Sequence, residues 1–124
     1  AWFNRILTPE FVERYRGRLL NIHPSLLPAF RGFHPIEQAL SAGAAEHGAT
    51  VHFVTPEVDD GPRIVQARVP VLPGDTVDTL SARVREQGRR ILPEAVRWFA
   101  EGRLRWVDGE AWLDGRPLRE PVRL

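Results

Sequence analysis

The chain has 124 residues, 17 basic and 16 acidic side chains, a formal net charge of +1 and no cysteine. That length supports one hydrophobic core rather than two, and the missing thiols exclude disulfides, thiolate metal sites and a cysteine nucleophile. Apolar runs are broken by charge or proline every few residues and the opening residues show no basic stretch leading into an apolar signal core, so neither a spanning helix nor a leader is read here, and a cytoplasmic setting is expected.

Thr8-Pro9-Glu10 predicts a helix start, a capping hydroxyl followed by proline at the first helical position. Phe11, Val12 and Tyr15 give that short helix an apolar stripe before Gly17 ends it. Arg18 to His23 reads as a short buried strand. Asn21 and His23 sit two residues apart and so share one side of an extended chain. Pro24, Pro28 and Gly32 stiffen the next loop, and residues 34–42 predict a second helix with Ile36, Ala39 and Leu40 inward, closed by Gly43. Residues 48–55 alternate as a strand, with Val51 and Phe53 on one side and His52 and Val54 on the other. His47, beside Gly48, reads as a turn residue.

A turn over residues 57–62 leads to an antiparallel partner strand over 64–71. Asp75-Thr76 caps the longest predicted helix, whose apolar positions Val77, Leu80, Val84, Ile91, Ala95, Val96 and Phe99 keep a near-helical spacing, with Gly88 and Pro93 as weak points. Asp108-Gly109 between two short apolar runs predicts a hairpin. The expected fold class is α/β in one domain over residues 1–124: a short mixed sheet, flanking helices and a C-terminal β-hairpin. Every basic residue is arginine, and ten of the 17 fall in residues 81–124. Glu86, Glu94 and Glu101 interrupt any positive stripe there, so this region reads as a solvated helix face and nucleic acid is not an expected partner.

The chemistry concentrates in Asn21, His23 and Asp59, an amide, an imidazole and a carboxylate on segments able to converge. An amide donates hydrogen bonds to a carbonyl oxygen, an imidazole carries a proton near neutral pH, and a carboxylate orients and charges the imidazole. That set suits moving a carbonyl-level carbon onto an amine without a side-chain nucleophile. Plainer readings stand beside it. A histidine at a strand end is commonly a hydrogen-bonded structural residue; His52 reads as structural or supporting, and His34, directly before Pro35, as either a helix-start or a site-lining residue. Trp98, Phe99, Trp106 and Trp112 read as core and hairpin packing. The four histidines lack ligand-type spacing, so no metal is expected.

The pattern Asn21-x-His23-Pro24-Ser25-Leu26-Leu27-Pro28 with Asp59-x-Gly61-Pro62 resembles the folate-dependent formyltransferase family. The likeness runs from Arg5-Ile6-Leu7-Thr8-Pro9 through Gly48-Ala49-Thr50-Val51-His52-Phe53-Val54 to Trp98-Phe99-Ala100-Glu101-Gly102 and Ala111-Trp112-Leu113-Asp114-Gly115. It corresponds to the C-terminal part of such an enzyme. The nucleotide-binding N-terminal half has no counterpart, and a chain opening on Ala1 reads as a fragment or an engineered piece.

The resemblance implies that Asn21 holds a formyl oxygen, that His23 is the catalytic imidazole, that Asp59 pairs with it, and that Thr50 steadies a water or the carboxylate, with His34 and His52 lining or supporting the site. It implies a pterin ring beside Arg5, Ile6 and Leu7 and under a loop of Val54, Thr55, Glu57, Val58 and Asp59, read mostly by backbone groups. The implied reaction takes formyl from the co-substrate 10-formyltetrahydrofolate, without a metal, to the amine of glycinamide ribonucleotide in purine synthesis. Methionyl-tRNA, a sugar-nucleotide amine or water are the alternative acceptors; Arg31-Gly32-x-x-Pro35-Ile36 leans toward the tRNA and sugar relatives, the Trp-Leu-Asp-Gly tail toward the purine branch. A reading of another class is a non-catalytic scaffold that self-associates through a sheet edge. Three departures stand out: Trp2 and Asn4 differ from the family's first strand, Gly88 replaces a glutamate that contacts the acceptor, and no Gly-x-Gly phosphate cradle occurs. With that remote binding energy missing, the chain alone is expected to bind folate weakly and transfer little.

Overall fold

The computed structural model describes residues 8–57 and 60–124. Its elements are α1 (Pro9–Arg14), β1 (Leu20–His23), α2 (Pro35–Ser41), β2 (Glu46–Phe53), β3 (Arg63–Pro70), α3 (Val77–Ala100), β4 (Leu104–Val107), β5 (Glu110–Leu113), β6 (Arg116–Pro117) and β7 (Val122–Arg123). They form one sheet in the order β1-β2-β3-β7 and a second in the order β4-β5-β6. β1, β2 and β3 run antiparallel to their neighbours and β7 joins β3 in parallel, which makes the larger sheet mixed. The expected α/β class holds, and the expected hairpin gains a third strand through pairs Trp112–Pro117 and Leu113–Arg116.

Register divides the larger sheet into two chemically different faces. Ile22, Val51 and Val65 stand opposite one another across β1, β2 and β3, with Ala49 opposite Ala67; all five are buried in the core cluster that includes Leu80, Val84 and Ile91 of α3. The next level holds His23 opposite Thr50 and Thr50 opposite Gln66. A pleat of period two turns this polar row, with Asn21, away from the helix-packed face. The apolar face thus anchors the sheet while the opposite face is left for polar groups.

α3 runs unbroken for 24 residues through Gly88 and Pro93. Its buried stripe is Leu80, Val84, Gly88, Ile91, Ala95 and Trp98, spacings of three and four that keep one helix face on the sheet. Burial of that stripe outweighs the roughly 1 and 3 kcal/mol that an interior glycine and proline cost. Trp98, rather than Val96 or Phe99, completes it: those two remain 49% and 37% exposed. On the outer face Arg89 meets Glu86 and Arg97 meets Glu101, each at 3.4 Å, with Glu94 also beside Arg97.

The turn before α3 is held by Asp75. Its Oδ2 accepts from Leu72 N–H at 2.7 Å and its Oδ1 from the Thr79 hydroxyl at 2.8 Å and Arg83 Nη1 at 3.0 Å, and Arg83 Nη2 donates to the Pro70 carbonyl at 2.9 Å. The Arg83 hydrogen bond first, then the Leu72 amide, hold the Asp75 carboxyl well below the usual carboxylate range. A depressed folded pKa means that the unfolded chain takes up the proton first, so this contribution is fully present above about pH 4 and is lost as pH falls through the folded value. Asp75→Asn is therefore expected to melt lower than the parent at pH 7 and to show a shallower fall in Tm below about pH 4. Parallel acid limbs in the two proteins would assign the acid sensitivity to other carboxylates.

Candidate active site

Among the described residues β1 is an outer strand of its sheet, and it carries Asn21, half-buried, and His23, only 6% exposed. The segment that follows, residues 24–30, folds back over the polar row instead of running out into solvent. Thr50 Oγ1 donates to the Ser25 carbonyl at 2.8 Å and accepts from Leu27 N–H at 3.1 Å and Gln66 Nε2 at 3.0 Å. Gln66 Nε2 also donates to the Leu27 carbonyl at 2.8 Å, and the Ser25 hydroxyl donates to the Ala29 carbonyl at 2.7 Å. A hydroxyl has one donor and two acceptor sites, and all three of Thr50 are occupied. Thr50 therefore secures the loop; its hydroxyl has no site left for the water or carboxylate that the resemblance assigns to it.

His23 Nε2 lies 3.1 Å from the Phe30 carbonyl. A carbonyl only accepts, so Nε2 carries a proton and the tautomer is set by the loop. Phe30 holds φ at 53°, a left-handed conformation unusual for a bulky residue. Backbone strain of this kind survives where surrounding contacts over-determine it, and here the loop network supplies them.

His47 is not a turn residue. It belongs to β2, is 1% exposed, and stacks its ring centroid 5.7 Å from that of Phe30. Neither of its ring nitrogens reaches a hydrogen-bond partner among the described residues. Burial pushes its pKa down, the nearby Pro24 carbonyl partly offsets this, and the charge of His23 pushes in the same direction as burial. Burial thus favours the neutral form of His47. The signal was present in the chain, because His47 continues the odd-numbered alternation of Ala49, Val51 and Phe53.

His52 is buried and donates from Nδ1 to the Phe53 carbonyl at 2.9 Å. It lies under Gly61, where an added Cβ would come within 3.4 Å of that nitrogen, so it braces the end of β2. His34 is displaced from the group: its side chain is 81% exposed, it pairs with Glu37 at 3.4 Å, and it starts α2 from a left-handed conformation without a side-chain cap. Gly88 faces inward in the α3 stripe.

Val54, Thr55 and Glu57 line a cavity of about 570 Å³ together with Val12 of α1 and Trp106 of β4. Asn21 and His23 do not line it. Arg5, Ile6, Leu7, Val58 and Asp59 lie outside the described residues, as do Trp2 and Asn4. The neighbouring Asp60 forms an ion pair with Arg31 at 3.1 Å, tying the 54–62 loop to the one that follows β1. This half-exposed pair is worth about 0–1 kcal/mol, but it brings together two loops 29 positions apart in the sequence, a link no local pattern discloses. Among the described residues no group of three metal-ligating side chains occurs, and no helix is long and apolar enough to cross a membrane.

An amide and an imidazole on one side of β1, with the imidazole Nε2–H held by a backbone carbonyl, can polarise a carbonyl group and hold a proton beside it. Residues 1–96 match the family model described as formyl transferase. The chain is 56% identical over 118 residues to the phosphoribosylglycinamide formyltransferase of Escherichia coli (strain K12), covering 95% of this chain and 56% of that protein. It is 51% identical over 102 residues to the human trifunctional purine biosynthetic protein adenosine-3, covering 82% of this chain and 10% of that one. Among solved structures, the phosphoribosylglycinamide formyltransferase of Coxiella burnetii superposes with a TM-score of 0.89 at 46% identity, over 98% of this chain and 59% of that one. A formyltetrahydrofolate deformylase from Pseudomonas syringae pv. tomato superposes with a TM-score of 0.83 at 33% identity, over 90% of this chain and 37% of that one. The chain thus spans a little over half the length of the bacterial transferases it resembles.

Proposed function

This chain belongs to the formyl transferase family, and from that premise we propose that it carries the formyl-transfer machinery of an enzyme passing a formyl group from 10-formyltetrahydrofolate to the primary amine of glycinamide ribonucleotide. The single observation that supports this reading most is the pairing of Asn21 and His23 on one side of β1 with the His23 tautomer set by the Phe30 carbonyl. The formyl donor, when bound, supplies an activated one-carbon unit at the carbonyl oxidation level. Asn21 donates its amide N–H to the formyl oxygen, where negative charge grows as the amine attacks; one such donor is worth about 3–4 kcal/mol of barrier. His23, oriented by the Phe30 carbonyl and beside Asp59, holds the proton that the departing nitrogen requires. Val54, Thr55 and Glu57, with Arg5, Ile6, Leu7, Val58 and Asp59, hold the pterin. The fit rests on a cavity lined by the first three, which Val12 and Trp106 make partly apolar, the character expected of a site for a flat ring with a polar edge.

The acceptor reading is supported by 46% identity to a superposed phosphoribosylglycinamide formyltransferase against 33% to a superposed deformylase. A cytoplasmic setting accompanies this reading. Lacking a Gly-x-Gly cradle for the phosphate of the acceptor, the 124-residue chain alone is expected to bind folate weakly and to transfer little. Calorimetric titration of the chain with a 10-formylfolate analogue, with and without glycinamide ribonucleotide, checks both steps. Saturable folate binding that Asp59→Asn weakens supports the reading. Absence of folate binding at millimolar ligand, in a chain that melts cooperatively, would overturn it, and hydrolysis of the formyl donor outpacing its transfer would move the acceptor to water.

A further inference from the structure

We propose that Gln66 is a positioning residue for the proposed chemistry, setting the tautomer and orientation of His23 from the far side of the sheet. The inference rests on the reading of His23 as the proton-bearing group. Gln66 stands two strands away on β3, in the row His23, Thr50, Gln66. Its amide is 5% exposed, and both of its N–H groups are committed, to the Leu27 carbonyl at 2.8 Å and to Thr50 Oγ1 at 3.0 Å. Thr50 passes the constraint on by holding the Ser25 carbonyl and the Leu27 amide. Ser25 in turn clamps the Ala29 carbonyl through its hydroxyl, and its own N–H donates to the His23 carbonyl at 2.8 Å. The next carbonyl along is that of Phe30, in the left-handed conformation, which receives His23 Nε2–H.

Every link is buried or partly buried, so water does not readily replace a lost bond. Removing the Gln66 amide orphans the Leu27 carbonyl and takes one of three partners from Thr50. The cheapest relief is for the 24–30 loop to lift. The Phe30 carbonyl then leaves His23, and the constraint it places on Nε2–H is lost. A glutamine in the middle of a strand otherwise rich in Val, Ile and Ala has no apolar role to fill, and its two bonds reach the loop after β1 and the Thr50 hydroxyl that secures that loop, not a surface.

The test uses the whole 124-residue chain labelled with ¹⁵N-histidine, the His23 signals being assigned by their loss in His23→Asn. In the parent, His23 is expected as a single tautomer protonated on Nε2. Gln66→Leu, of similar volume without donors, is expected to give a tautomer-averaged signal and at least about tenfold faster exchange of the Leu27 amide. Thr50→Val should reproduce this change and Thr50→Ser, which keeps the hydroxyl, should restore the parent pattern. A cooperatively folded Gln66→Leu with an unchanged His23 tautomer would overturn the proposal, as would equal disruption by Thr50→Ser and Thr50→Val. Should Gln66→Leu fail to fold, the parent itself decides: a Leu27 amide as protected as the β2–β3 ladder supports the relay, and one exchanging like an open loop refutes it. None of these readouts depends on folate or formyl transfer, so failure of the functional reading shows separately, in the calorimetric titration.

Discussion

Gly48→Ala is expected to be a strongly damaging single-methyl change. A Cβ at position 48 would lie 2.0 Å from the Ala67 carbonyl oxygen, 2.7 Å from Leu26 Cδ2 and 3.1 Å from the Ala67 carbonyl carbon. Leu26 can turn aside, but the carbonyl belongs to the neighbouring strand and moves only if β2 and β3 separate at the Gly48–Arg68 pair. Overpacking against side chains costs about 1–3 kcal/mol, and a backbone obstacle lies at or beyond the upper end, about 4 kcal/mol. Against a total stability of about 5–15 kcal/mol for a domain of this kind, that moves a urea midpoint down by about 2 M at an m-value near 2 kcal/mol/M. Gly74→Ala is the informative control: nothing lies within 4 Å of its added Cβ, and the penalty comes only from φ at 82°, about 1–2 kcal/mol. A Gly48→Ala protein melting within about 1 kcal/mol of the parent would mean the strands have room there.

The second large effect is catalytic. In this chain joined to the part of the Escherichia coli relative that it does not cover, Asn21→Ala is expected to lower kcat for formyl transfer about 10²–10³-fold. The KM for the folate should change by less than about threefold, because a donor aimed at developing charge acts in the transition state and little in the ground state. Asn21→Asp should fare no better, since a carboxylate at that position accepts where donation is needed and places negative charge against negative charge. Steady-state kinetics on the three proteins decide the matter. A kcat unchanged in Asn21→Ala, or a loss confined to KM, would remove Asn21 from the chemistry and reduce it to a binding residue.

The two expectations draw on different layers of the molecule. Gly48 matters because two strands pass at a distance only glycine permits, and that same approach seats Leu26 of the loop above. Asn21 matters because the loop leaves it half-exposed while covering His23 and Thr50. Stability at the strand pair and geometry at the site therefore share one segment, residues 24–30, and changes that loosen it are expected to weaken both.

Local order was largely legible before any coordinates. Thr8 accepts from Phe11 N–H at 3.2 Å as the cap of α1, Thr76 and Thr79 form a reciprocal capping box at α3, and the Asp108-Gly109 turn, with both residues at positive φ, joins β4 to β5. These features depend on residues within three or four positions of each other, the range over which capping, turn chemistry and alternation act. The pairing of Asn21 with His23 on one side of a strand follows from the same period of two. The glycine beside His47 signals a turn locally, while the strand pairing that holds His47 is made to Val69, 22 positions away.

Residue order by itself determined the α/β class, the caps and turns, the amide and imidazole two positions apart, and the resemblance that family comparison then bore out. Tertiary structure alone decided that Trp98 rather than Phe99 completes the buried helix face, that Thr50 spends its hydroxyl on a loop, that Gln66 reaches across two strands to the same loop, and that Arg31 meets Asp60. Each of these is a contact between segments distant along the chain, settled by how close packing and the buried hydrogen-bond inventory close around one another, quantities that exist only once the sheet has formed.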